Sequence, residues 1–85
     1  MNYTVEWAEL AVDELAAAWL SATDQAGATR VLHILEQALG STPFSVGRPF
    51  GSSVRRFVLA PPVRLAFDIV EDDKKVIVQA CWLVG

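Results

Sequence analysis

Four arginines fall close together in the second half of the chain, Arg48, Arg55, Arg56 and Arg64. A guanidinium keeps its charge at any physiological pH and presents a planar fork of donors to phosphate or carboxylate. It can therefore bind an anion or steady a charged transition state, but it is a poor proton acceptor. Cutting a phosphodiester through a neighbouring hydroxyl also needs groups to take and return a proton. Only Tyr3 and His33 offer themselves for that work, and the strand and helix readings below place neither beside Arg55 and Arg64. His33 shares a polar helical face with Arg30 and Gln37, which reads as a surface position. The arginines themselves have a plainer reading, as cross-strand charges neutralised by Asp68 or Glu71 on a solvated sheet.

Other chemistries find little support. One Cys and one His form no ligand cluster of recognisable spacing, so neither a metal nor any other cofactor is expected. The segment Gly47-Arg48-Pro49-Phe50-Gly51 lacks the Lys-Ser/Thr ending of a phosphate loop. Cys81 sits in an apolar run and reads as a packed strand residue. With a single cysteine no internal disulfide can form, which points to a reducing, cytoplasmic setting. The first residues carry no basic-then-apolar leader, and no stretch approaches the ~20 apolar residues of a membrane span. The formal charge of −3 opposes any role that depends on wrapping nucleic acid, whose affinity comes from surplus Lys and Arg.

The elements that must hold these residues follow from periodicity. The chain has 85 residues, 53% of them hydrophobic and 20% charged, enough for one small packed domain over residues 1–85. Tyr3, Val5 and Trp7 alternate with polar residues and predict a first strand over Asn2 to Trp7. Ala8, Val12, Leu15 and Trp19 then recur at helical spacing, with Glu9, Asp13 and Glu14 on the far side. Thr23 or Asp24 is placed to cap a second helix whose apolar face is Ala28, Leu32, Leu35 and Leu39, with Gly40 stopping it. Pro43, Gly47, Pro49 and Gly51 predict an irregular exposed connection over Ser41 to Ser53. Three strands follow: Val54 to Leu59, Val63 to Val70 and Lys75 to Leu83. Their short turns, Ala60-Pro61-Pro62 and Glu71 to Lys74, imply a meander. The expected fold is α+β, in the order β-α-α-β-β-β, with a helical hairpin on one face of a mainly antiparallel four-stranded sheet. Trp7, Trp19, Phe44, Phe50, Phe57 and Trp82 are expected mostly in the core, with any left outside marking a binding surface.

This order of elements resembles the RelE/ParE superfamily, toxins of bacterial type II toxin-antitoxin and plasmid-stabilisation systems. The stretch Pro62-Val63-Arg64-Leu65-Ala66-Phe67-Asp68-Ile69-Val70-Glu71-Asp72 is similar to the family's middle strand and acidic turn. Leu39-Gly40-Ser41-Thr42-Pro43 with Gly47-Arg48 resembles its helix end and connection, and Val76 to Trp82 its last strand. The RNA-cleaving members resemble this chain at Arg55, early in the second strand, and at Arg64, opening the third. A further basic residue of theirs coincides with Phe57, and their Arg and Tyr beyond the last strand have no counterpart before Gly85.

The resemblance therefore implies a toxin-like protein nearer the ParE type, with a cognate antitoxin as partner. It would act by binding a target of the DNA gyrase kind rather than by cutting; the clustered Arg48, Arg55, Arg56 and Arg64 are the binding candidates from the residues themselves. Two alternatives stand beside it. One is a ribosome-dependent endoribonuclease of RelE type, acting on mRNA with Arg55 and Arg64 as catalytic candidates. The other is a non-toxic protein-binding module, or a homodimer.

Overall fold

Alternating apolar residues and short turns organise the second half of the chain into a meander. The computed structural model describes residues 2–51 and 54–83. Strand β4 runs Val63–Val70 and puts Val63, Leu65, Phe67 and Ile69 on one face. Strand β5 runs Lys75–Leu83 and buries Val76, Val78 and Cys81 on the same side. Strand β3, Arg55–Ala60, pairs antiparallel with β4, which in turn pairs antiparallel with β5. The turn after β3 contains a cis Pro61–Pro62 bond, and a single 3-10 turn at Glu71–Asp73 leads to Lys74 at φ 51°.

The first half supplies a strand and a helical hairpin. Strand β1, Thr4–Trp7, lies parallel to β5 at the sheet edge. Helix α1 spans Glu9–Leu20 and α2 spans Gln25–Ser41. Both pack on the apolar side of the sheet, where Ala11 from α1 and Leu32, Leu35 and Leu39 from α2 meet Phe67 and its strand neighbours. The other side of the sheet is left without a covering layer among the described residues.

Asp24 caps α2, its carboxylate accepting the Gly27 N–H at 2.9 Å. That bond satisfies a donor which has no partner within the helix. Asp24→Ala is expected to cost about 1 kcal/mol, measurable as a lower urea midpoint at unchanged slope.

Four details depart from the sequence expectation. The sheet has five strands, in the order β1-β5-β4-β3-β2, because Arg48–Pro49 forms a short edge strand, β2, within the supposed irregular connection. It pairs Arg48 with Phe57 and Pro49 with Arg56; Ser52 and Ser53 of that connection lie outside the described residues. Helix α2 does not stop at Gly40. It continues to Ser41, and the Gly40 carbonyl accepts the Tyr3 N–H at 2.7 Å, tying the helix end to β1.

The buried line of α1 is centred on Ala11, while Val12 and Trp19 are exposed. An Ala-rich helix with apolar residues all round carries little periodic signal, so its inward side is decided by the sheet it meets. Finally, Trp19, Phe44, Phe50 and Trp82 are exposed rather than core.

Candidate functional site

Strand alternation sorts the arginines onto two sides of the sheet. Arg55, Phe57 and Leu59 project from the face opposite the helices, as do Arg64, Ala66 and Asp68 across from them on β4. Arg64 pairs in register with Trp82 of β5, and Arg48 of β2 with Phe57. This open face thus collects Arg48, Arg55 and Arg64. Arg56 does not join them: it is buried on the helix side, and its guanidinium is bonded to loop carbonyls.

A row of three rings crosses the open face. Phe57 lies between Phe50, 4.9 Å away centroid to centroid, and Trp82, at 6.3 Å. Tilted ring pairs at such distances attract by more than their buried area alone. Beside the row is a cleft of about 660 Å³ lined by Arg48, Phe50, Phe57, Leu59 and Arg64. Phe50 is 64% exposed, Leu59 52% and Trp82 39%. The arrangement is a flat apolar surface flanked by cations, suited to anchoring a partner through rings and guanidinium groups. By periodicity Phe57 is a core ring, and by resemblance it stands where RNA-cleaving members carry a basic residue; its contacts make it the middle ring of the row.

The three cations differ in their surroundings. Arg48 and Arg64 are exposed, and neither forms an ion pair among the described residues. Arg55 forms a two-point pair with Asp68, whose Oδ2 also accepts from Gln79 at 3.2 Å. The bond to Asp68 raises the Arg55 pKa above its ordinary value. Asp68 is therefore occupied on both oxygens. Glu6, on the far side of the face, is 3.3 Å from Lys75.

The proton-handling candidates lie elsewhere. His33 is exposed on α2. Tyr3 donates from its hydroxyl to Glu71 Oε2 at 2.5 Å, beside Lys74, whose ammonium sits 5.3 Å from the centre of the Tyr3 ring. The bond to Glu71 raises the Tyr3 pKa, while the bonds from Lys74 and then Tyr3 lower that of Glu71. The described residues contain no group of His, Cys, Asp and Glu side chains arranged to hold a metal.

Cys81 is buried on the apolar side of β5, where desolvation and then the Glu14 charge push its thiol from 9.0 to about 11. At pH 8 a shift of that size leaves roughly a hundredfold less thiolate than the ordinary value would. The folded protein is expected to resist a thiol reagent at pH 8 and to react once denaturant exposes Cys81.

No family model matches the sequence, and no curated protein matches it. Solved structures do match its shape. The RelBE2 toxin-antitoxin complex of Mycobacterium tuberculosis contains a chain with TM-score 0.72 and 18% identity, covering 98% of this chain and 99% of that one. The chromosomal ParDE system of P. aeruginosa gives 0.66 and 18%, covering 98% and 97%. The isolated E. coli RelE toxin gives 0.68 and 16%, covering 98% and 85%. The fold is that of the RelE and ParE toxins. Identities this low speak for architecture alone. No helix among the described residues is long and apolar enough to cross a membrane.

Proposed function

We propose that this chain is the toxin-like member of a toxin-antitoxin pair and acts by holding a macromolecular target on the open sheet face, in the manner of ParE rather than of an RNA-cutting RelE. The observation that carries this reading is the row Phe50, Phe57 and Trp82 on the same face as Arg48 and Arg64. It offers adhesion and positive charge. On the described part of that face, the carboxylates that could take a proton, Asp68 and Glu6, are engaged by cations.

A protein target such as DNA gyrase fits a surface of exposed rings and arginines, the residue types that dominate protein interfaces. A cognate antitoxin is the second partner, supported by the complexes with the same fold. The reading also accords with the overall charge of −3, which disfavours long nucleic-acid contacts.

One observation favours the RelE-type alternative: Arg55 and Arg64 do share the open face. The same experiment tests both. Induced alone in a bacterial host, the chain is expected to arrest growth while ribosome-bound transcripts stay intact. Transcripts cut during arrest would establish the endoribonuclease. Normal growth with abundant folded protein would leave a non-toxic binding module, as a monomer or a homodimer.

A further inference from the structure

Arg56 is the one buried charged side chain among the described residues, 8% exposed. No carboxylate pairs with it among those residues. Main-chain carbonyls meet its charge instead. Its Nε donates to the Val46 oxygen at 2.9 Å, and Nη2 donates to the Phe44 oxygen at 3.1 Å and the Gly47 oxygen at 2.9 Å. Burying a cation is costly unless its donors are used, and an apolar residue opposite Phe67 would avoid that cost altogether. What the guanidinium adds is specific: it gathers three carbonyls from the four residues that lead into β2.

Those carbonyls immediately precede the two residues the loop delivers to the open face, Arg48 and Phe50. Burial of Pro43 and Val46 anchors the start of the same loop, but its last step onto the sheet is short. Strand β2 has two residues, and Pro49 has no N–H to give. Gly47 sits at φ +66°, and a Cβ there would fall 2.1 Å from the Phe57 oxygen, so the loop presses directly on β3. Beyond it, the Phe50 N–H donates to the Arg55 oxygen at 2.9 Å, which brings the Phe50 ring to Phe57.

We infer that Arg56 is a positioning residue for the open-face site: acting from the opposite side of the sheet, it sets the loop that brings Arg48 and Phe50 against Phe57. The role rests on the open face being the functional surface. It also favours arginine, because the guanidinium holds Nε and Nη2 apart in one rigid plane to meet separate carbonyls, whereas the three donors of a lysine ammonium diverge from a single nitrogen.

The test compares Arg56→Lys and Arg56→Met with Asp24→Ala, a mild destabiliser remote from the loop. Residue-resolved amide hydrogen exchange is read on the full chain, alongside growth arrest. In both Arg56 variants the Phe50 amide is expected to lose about tenfold or more in protection, while the β4 amides of Leu65 and Phe67 change less than about threefold. Asp24→Ala should show no such contrast and should keep growth arrest. Arg56→Met fills the buried space without charge, so it reports on the loop even where lysine is poorly accommodated.

Equal loss at Phe50, Leu65 and Phe67 would reduce Arg56 to a general stabiliser and overturn the inference, as would unchanged protection at Phe50. Growth arrest by both Arg56 variants at wild-type strength would overturn it too. If the wild-type chain causes no arrest, the open-face reading fails by that result, and the exchange pattern separately decides whether Arg56 holds Phe50 in place.

Discussion

Phe67→Ala is expected to remove about 3–5 kcal/mol of stability, read as a markedly lower urea midpoint. Phe67 is fully buried at the centre of β4, and it is the largest of the fully buried side chains among the described residues. Around it lie Leu32, Leu35 and Leu39 from α2 and Val76 and Val78 from β5, so its ring joins the helical hairpin to the sheet. Truncation leaves a cavity lined by side chains from α2 and β5, each element held by its own hydrogen bonds and unable to collapse fully. A domain of 85 residues has a total stability on the order of 4–13 kcal/mol, so the loss is a large share of what exists. Urea unfolding followed by far-UV circular dichroism checks it, and a midpoint within error of wild type would contradict this description of the core.

The second large effect concerns the open face. Arg64→Glu is expected to abolish growth arrest while changing stability by less than about 0.5 kcal/mol. Arg64 is exposed on β4 and forms no ion pair among the described residues, so the fold loses little with it. A partner that meets the guanidinium would instead face a carboxylate, and such a reversal at an interface centre costs about 2 kcal/mol or more, roughly a 30-fold loss of affinity. Trp82→Ala removes the last ring of the aromatic row and should weaken arrest in the same direction. Arg55→Ala is the informative contrast: it strips Asp68 of its cation and should cost stability as well as activity. Growth curves at matched levels of soluble protein, with thermal melts of each purified variant, separate these outcomes.

Much of the scaffold was legible because its signals are strong and local. In β4 and β5 apolar residues alternate between clear turn formers, and the predicted limits Val63 to Val70 and Lys75 to Leu83 coincide with the strands observed. Helix α2 shows the same agreement, its predicted face Ala28, Leu32, Leu35 and Leu39 being the buried one. What escaped was decided by tertiary contact. Strand β2 is two residues long and contains a proline, so no periodicity can announce it. The inward side of α1 is equally silent among its alanines.

The site was half legible. Arg48, Arg55 and Arg64 do share a face, yet Arg56 does not, and simple alternation along β3 carries that distinction: if Arg55 and Phe57 face solvent, Arg56 faces inward. The partners that make a buried guanidinium tolerable are main-chain carbonyls from a loop, and no residue identity advertises them. Phe57 is the opposite case. By resemblance it stands where RNA-cleaving members carry a basic residue; between Phe50 and Trp82 it is the middle ring of the open-face row.

The open face is expected to act by binding and not to cut. The most direct measurement is induction of the wild-type chain alone in a bacterial host, with growth and the integrity of ribosome-bound transcripts followed in the same culture. Arrest with intact transcripts, absent in Arg64→Glu at equal folded protein, is the predicted result. Arrest accompanied by cut transcripts, or unimpaired growth in the presence of abundant folded wild-type protein, would contradict it.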